Sequence, residues 1–421
     1  MLNIYLNTVF IAPDTMNRND FPILTEQVYN RPLVYLDNAA TTQKPQAMMD
    51  ALQYAYSHFN ANIHRGVHHL SQLATRHHEQ ARQTVADFLH AASPNEIIFT
   101  KGTTDSINML AFSIGEAFIH EGDEIIISAV EHHSNIVPWQ MLCERKGAML
   151  KVIPLRDDLS LDMNAYKQLL SDRTRLVAVA HISNVLGTLN PVEDIIRLAH
   201  ERDIPVLIDG AQSAAHLPID VQQLDCDFFA CSAHKIYGPT GLGVLYGKER
   251  WLNLLPPAQG GGEMIEHVTF EHTTYNTLPY KFEAGTPDFI GSYTFAKTLE
   301  FIGGTGMAAI AEHEHRLTEY AQAKLKEING VRIYAESLPK FGVISFNAYT
   351  PSGELVHPFD LGMLLDRQGV AVRTGHHCAE PLVDYLGVPG TVRISFAMYN
   401  NEEDIDIFIT ALNRAIDMLS A

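Results

Sequence analysis

Cysteine is scarce in this chain, with four residues in 421. That is too few for a disulfide framework and fits a reducing compartment, so a cytoplasmic protein is expected. Basic residues are outnumbered, 30 Lys and Arg against 49 Asp and Glu, for a formal net charge of −19. A surface of that sign repels phosphate backbones and anionic headgroups, so neither nucleic acid nor a membrane is an expected partner. No apolar run approaches the ~20 residues that span a bilayer. The opening MLNIYLNTVFIAPDTMNRND lacks a basic n-region and a clean apolar h-region and is not read as a signal peptide. It reads as a loose extension, with Met16 an alternative start. Internal repeats and low-complexity segments are absent. What is present is ordinary for a packed globule: 46% apolar and 19% charged residues, in a length that calls for a large domain and a smaller one.

Short β-branched runs alternate with helical patterns through the first three-quarters. EIIFT (96–100) precedes a helix from Thr104 to His120, and EIIIS (124–128), MLKVIP (149–154), RLVAVAHI (175–182) and PVLID (205–209) follow. A helix from Val192 to Arg202 separates the last two. These runs are nearly continuous in apolar residues, as parallel strands buried on both faces are, and helix-length crossovers join them. DFFACS (227–232) and LGVLY (242–246) extend the sheet. Past Gly303-Gly304-Thr305-Gly306 the pattern becomes α+β, with helices near 307–327, 359–367 and 402–418 and strands at VRIYA (331–335), VISFN (343–347) and VRI (392–394). The chain therefore divides into an N-terminal segment (1–35), a large mostly parallel α/β domain (36–300) and a small α+β domain (301–421).

Ligands of open α/β sheets collect at the carboxyl ends of the strands, so the residues that follow each strand matter most. Asp209 closes an apolar strand, either as the N-cap of the next segment or as a partner for a cation. Lys235 follows DFFACS in Ser232-Ala233-His234-Lys235, beside a glycine turn. Desolvation there makes an amine a usable nucleophile or base. A lysine facing a carboxylate across a ring is what pyridoxal phosphate requires. Lys101-Gly102-Thr103-Thr104 opens a helix and suits an anion, although ordinary capping reads the same way. His132 in EHHSN is either a ring-stacking imidazole or a polar loop residue. Cys378 lies in Arg373-Thr374-Gly375-His376-His377-Cys378, with Arg393 downstream, a setting that favours thiolate. A zinc site is disfavoured because no second Cys lies near, and Cys226 and Cys231 are read as facing opposite ways along a strand. No metal is expected. HRGVHH (64–69) reads as a solvated loop.

Taken together, LDNAATT (36–42), NIHRGVHHLS (62–71), TKGTTDSIN (100–108), EHHSNIVPW (131–139), SNVLGT (183–188), DGAQS (209–213), SAHKIYGPTGLG (232–243), FEAGTP (282–287) and RTGHHCAEP (373–381) resemble the class II cysteine desulfurases. The SUF-type enzymes, which supply sulfur for iron–sulfur cluster assembly, are the most similar. Only the residues before Leu36 fall outside the pattern. The resemblance implies a fold-type I, aminotransferase-like pyridoxal-phosphate enzyme that works as a homodimer. It implies that Lys235 carries the cofactor, Asp209 pairs with its ring nitrogen, Gln212 with its ring hydroxyl, and His132 stacks on its face. Thr103, Thr104, Ser232 and His234 would hold the phosphate, with Thr286 reaching in from the other protomer. Asn184, Arg373 and Arg393 would receive the substrate carboxylate and its surroundings. Cys378 would take up sulfur from L-cysteine as a persulfide and release L-alanine, while His132 and His64 carry protons.

The RTGHHC loop is shorter than the loop of class I enzymes. It is expected to hold Cys378 close to the ring and hide it from acceptors, so that turnover depends on a partner of the SufE or SufU type. The alternative substrate is L-selenocysteine, which would make the protein a selenocysteine lyase or another lyase or aminotransferase of the same fold. A more distant alternative is a non-catalytic sulfur-carrier scaffold, against which Lys235, Asp209 and the phosphate cradle speak together.

Overall fold

The computed structural model describes residues 16–420; the opening fifteen residues, part of the expected extension, lie outside the described residues. Within it Gln27–Val28 (β1) and Arg31–Pro32 (β2) form a small ribbon, and Val34–Tyr35 (β3) follows. The central sheet is built from Ile97–Thr100 (β4), Glu124–Ser128 (β5), Met149–Ile153 (β6), Thr174–Ala180 (β7), Val206–Asp209 (β8), Phe228–Ser232 (β9) and Gly243–Gly247 (β10). Its order is β4-β10-β9-β8-β7-β5-β6. Strands β5 to β9 pair in parallel, and β10 runs antiparallel between β9 and β4. Every residue of β4, β5, β8, β9 and β10 is buried, as strands covered by helices on both faces must be. Strand β6 differs from the doubly buried reading. It is one edge of the sheet, and Val152 is 46% exposed, whereas the other edge, β4, is fully buried.

The helix after β4 spans Thr103–Phe118 and packs with Val137–Lys146 on one face of the sheet, where Trp139 and Leu142 are fully buried. His69–Leu89, Val192–His200 and Phe289–Thr305 cover the other face. The long first of these was not legible as a helix. His68 caps it by accepting from the Ser71 amide, so the HRGVHH segment ends as a helix start rather than as a solvated loop. A hairpin, Ile265–Val268 (β11) with Thr273–Tyr275 (β12), projects beyond the sheet.

The helix Phe289–Thr305 runs through Gly303 and Gly304 and stops at Gly306, whose φ of 87° a side chain would strain. Beyond it Val331–Ile333 (β13), Val343–Ala348 (β14), Arg373–Gly375 (β16) and Thr391–Ser395 (β17) form an antiparallel sheet in the order β13-β14-β17-β16, and the short Val370–Ala371 (β15) lies outside it. Helices Met307–Lys326, Pro358–Asp366 and Glu402–Ser420 pack on this sheet.

The N-terminal residues are tied to this second unit. β3 pairs in parallel with β15, and Val34 and Leu36 share a core with Ile344, Phe346 and Phe408. Residues 16–25 are not a loose extension. Phe21 is 1% exposed against Tyr399, their rings 4.6 Å apart, and Arg18 donates to Asp404 at 2.8 Å.

Candidate active site

The carboxyl ends of β7, β8 and β9 and the loop after β5 open into one cavity of about 210 Å³. It lies against the β16–β17 side of the second sheet, so both units contribute walls. Twelve of the fourteen residues singled out in the sequence line it: Thr103, Thr104, His132, Asn184, Asp209, Gln212, Ser232, His234, Lys235, Arg373, Cys378 and Arg393. Thr286 and His64 do not. Thr286 is exposed and reaches Asn62 Oδ1 at 3.2 Å. His64 sits 3.7 Å from Glu79 with its ring edge-on to Tyr280.

Lys235 ends a short turn after β9, and among the described residues its Nζ makes no hydrogen bond. Burial lowers its pKa to about 8, against the opposing pull of Asp209. Asp209 is 4% exposed, and Oδ1 accepts from the Ala211 amide at 2.9 Å. Burial raises its pKa, with the Ala211 bond and Lys235 pulling the other way. A half-satisfied carboxylate and an unpartnered amine on neighbouring strands are a donor set waiting for a ligand. Gln212 is fixed by donating to the Ala39 carbonyl at 2.9 Å.

His132 accepts at Nδ1 from the Ser134 amide at 3.1 Å, so its neutral ring carries the proton on Nε2. Burial, then Lys235, lowers its pKa to about 3 and keeps the ring uncharged. Behind it Glu131 is buried and accepts from Ser128, Asn135 and the Ala180 amide.

The anion end is built where the Thr103–Phe118 helix begins. Ser232 Oγ accepts from the Thr103 amide and bonds Thr103 Oγ1, both at 2.8 Å. Gly102 has φ 149°, and a Cβ there would meet Ser232 Oγ at 3.4 Å; a Cβ on Gly243 would lie 2.3 Å from Gly102. Two glycines thus keep the backbone close and the helix N-terminus open.

The substrate side is cationic. Arg393 is 2% exposed, donates to the Asn184 carbonyl at 2.9 Å and to Asp37 at 3.3 Å, and leaves its Nε without a partner. Burial lowers its pKa to about 10. Cys378 is exposed and lines the cavity rather than being hidden, and the backbone is left-handed at both His377 and Cys378. Nor is the loop loose. The His133 amide donates to the Cys378 carbonyl at 2.7 Å, Asn184 to the His377 carbonyl at 2.7 Å, and the His377 ring bonds Thr391 at 2.8 Å. Cys226 precedes strand β9 instead of lying on it, and burial raises both its thiol and that of Cys231.

Several residues of the site were not singled out in the sequence. Thr41, Thr42 and Lys44 all donate to the His234 carbonyl, at 3.1, 3.1 and 2.8 Å, and clamp the turn that carries Lys235. The LDNAATT segment, which contains the two threonines, was the available signal. His377 and Ser134 stood inside quoted motifs but had no role. His64, His78 and Glu79 place one ligand atom each within 4.8 Å of one another, yet Arg82 donates to both His78 and Glu79.

The chain matches the family model described as "Aminotransferase class-V" over residues 34–408. It is 47% identical over 394 residues to a "Probable cysteine desulfurase" of Halalkalibacterium halodurans, covering 94% of this chain and 96% of that one. Against a "Cysteine desulfurase" of Enterobacter sp. the identity is 49% over 403 residues, covering 96% and 98%. Among solved structures it resembles the cysteine desulfurase CsdA of Escherichia coli with a TM-score of 0.89 and 38% identity, covering 98% of this chain and all of that one. The chain belongs to the class-V aminotransferase family and, within it, to the cysteine desulfurases.

Proposed function

We propose that the protein takes sulfur from L-cysteine onto Cys378, releases L-alanine, and passes the sulfur on for iron–sulfur cluster assembly. The observation that carries this reading is one cavity holding an unpartnered lysine, a buried carboxylate, a helix N-terminus and an exposed thiol. The donor set fits pyridoxal phosphate. Lys235 would hold it covalently, Asp209 would meet its ring nitrogen, Gln212 its hydroxyl and His132 its face. Thr103, Thr104, Ser232 and His234 would take its phosphate. When bound, the cofactor supplies an electron sink that acidifies the substrate Cα–H and prepares the Cβ–Sγ bond for cleavage.

The chain's own residues do the rest. Arg393 and Arg373 receive the substrate carboxylate and, with Asn184, orient it. Lys235, with its lowered pKa, takes the Cα proton as a free amine. The Cys378 thiolate attacks the substrate sulfur. The new S–S bond forms as Cβ–Sγ breaks, the bonding pair leaves on carbon, and that carbon is reprotonated on the way to alanine. His132, neutral with its hydrogen on Nε2, would offer that N–H as a hydrogen-bond donor within the cavity.

The finer assignments belong to the same proposal. Thr286 is exposed outside the cavity, and Tyr54 and Tyr56 are exposed on the helix Gln46–His58, as expected of a homodimer in which Thr286 and His64 serve the partner's cavity. An acceptor of the SufE or SufU type would receive the persulfide. Four free cysteines, and no helix among the described residues long and apolar enough to cross a membrane, accord with a cytoplasmic SUF-type enzyme. A division near residue 300 would put Lys235 and Cys378 on opposite domains.

The test is alanine and sulfide release from L-cysteine with a thiol reductant, for wild type and Cys378→Ala. The variant should keep its yellow cofactor and make neither product. Full activity in the variant would remove Cys378 as sulfur acceptor and favour the selenocysteine lyase.

A further inference from the structure

Two residues beyond Lys235, the Tyr237 side chain is 1% exposed and leaves the cavity for the boundary between the two units. Its hydroxyl accepts from the Met398 amide at 3.0 Å and donates to Glu314 Oε1 at 3.3 Å. Glu314 Oε2 bonds His216 Nδ1 at 2.6 Å, and both side chains are buried. Glu314 stands on the helix Met307–Lys326 of the second unit, His216 on the first, and Met398 three residues past the end of β17. On its other side the Tyr237 amide donates to Thr42 Oγ1 at 2.8 Å, in the segment that clamps the lysine turn. The backbone of Tyr237 is left-handed, with φ 60°, a conformation that costs on the order of 1 kcal/mol in a bulky residue and persists where surroundings hold it.

β17 carries Arg393 and pairs with β16, which leads into the Cys378 loop. Lys235 and Cys378 are thus on opposite sides of a boundary that this buried hydroxyl bridges. We propose that Tyr237, held by Glu314 and Met398, is a positioning residue that sets the placement of Arg393 and Cys378 relative to Lys235. The inference rests on the desulfurase reading of those residues. It assigns Tyr237 no contact with substrate. Its effect is on the sulfur-transfer step, which needs Cys378 and Lys235 in register; proton removal at Cα by Lys235 uses the second unit only to grip the carboxylate through Arg393 and Arg373, so at saturating L-alanine that step is spared.

The experiment compares holoenzyme of wild type and Tyr237→Phe, which removes one oxygen and keeps the ring. Exchange of the L-alanine Cα hydrogen into deuterated water reads the lysine step, and quench mass spectrometry of Cys378 reads persulfide formation. Exchange should stay within about twofold while persulfide formation falls by about ten- to a hundredfold, the scale of a misplacement near 1 Å. Amide exchange at Met398 should rise in the variant, since its acceptor is gone; the thermal midpoint should fall by no more than a few degrees, the cost of one unpaired buried N–H, and cofactor absorbance should hold. Unchanged persulfide formation overturns the inference, as does a parallel fall of both steps, which would mark a merely structural role. Should Tyr237→Phe fail to fold, Glu314→Gln is read by the same criteria. A wild-type enzyme that exchanges alanine but forms no persulfide overturns the desulfurase reading and this inference with it; wild-type persulfide beside a normal variant overturns the inference alone.

Discussion

At the scale of single residues, the site is governed by what burial does to charge. Burial of Lys235 outweighs the pull of Asp209 on its ammonium, so its pKa falls to about 8. At pH 7 only about one amine in ten is then free to react, and at pH 9 about nine in ten. Cofactor loading of the apoprotein should therefore speed up by roughly tenfold between pH 7 and 9 and level off above it. Stopped-flow absorbance checks this, and a rate still climbing steeply past pH 10 would mean an ordinary lysine. Arg393 offers a planar fork with one buried N–H unclaimed. Arg393→Lys should raise KM for cysteine by about 10- to 100-fold, the loss expected when a charged, forked hydrogen bond becomes a point charge. A change in kcat alone would place the arginine elsewhere in the reaction. Lys235, Asp209 and Cys378 stood out in the sequence because each is a reactive type at a strand end or in a polar loop. Lys44 did not, since a lone lysine in a turn reads as solvated. Its burial against the His234 carbonyl, which drops its pKa to about 7, is a tertiary fact.

At the scale of elements, the strands following the doubly buried pattern were legible and those depending on a neighbour were not. β5 and β8 read directly as apolar runs, whereas β6 looked equally buried and is the exposed edge. The helix His69–Leu89 was missed because Arg76, His77, His78 and Arg82 interrupt its apolar stripe and the polar HRGVHH segment runs into its start. Its buried face includes Arg82, whose guanidinium forks onto Glu283 at 2.7 and 2.9 Å, while Glu283 also accepts from the Phe99 amide. A fully buried arginine looks like surface in a sequence. This pair ties FEAGTP to β4, and Arg82 draws the Glu283 carboxyl down to about 2 against the effect of burial. The sign follows: the folded carboxylate holds its proton less tightly than the unfolded one, so the contribution is present above the ordinary range near 4.5 and is lost as pH falls toward 2. Arg82→Met strands the carboxylate and should cost ~3–5 kcal/mol in denaturant unfolding. A loss under 1 kcal/mol would show that water reaches Glu283.

At the scale of the whole molecule, the division into an α/β and an α+β part was visible in the change of pattern past residue 306, but the role of the first forty residues was not. Pattern reading assigns a segment to its neighbours in sequence, and β3 pairs with a strand more than three hundred residues away. Thr286 and His64 were likewise chosen by motif and fall outside the cavity of the single chain. If they complete a partner's site, sedimentation should give twice the 46.9 kDa chain mass, and Thr286→Ala should weaken cofactor retention without altering that mass. A monomer with full activity would refute the shared site.

The pairing of β3 with β15 and of Leu36 with Ser395 also has a consequence for how the protein is made. At roughly 5–20 residues per second, the ribosome needs on the order of 15–70 s between emission of Val34 and emission of its partner strand. Throughout that interval Val34 and Leu36 have no core to enter, and Thr41, Thr42 and Lys44 have no anchored segment from which to clamp the lysine turn. The enzyme therefore acquires its cofactor grip last, when the chain is nearly complete, and a nascent chain stalled before Ser395 is a client for chaperones rather than a slow enzyme.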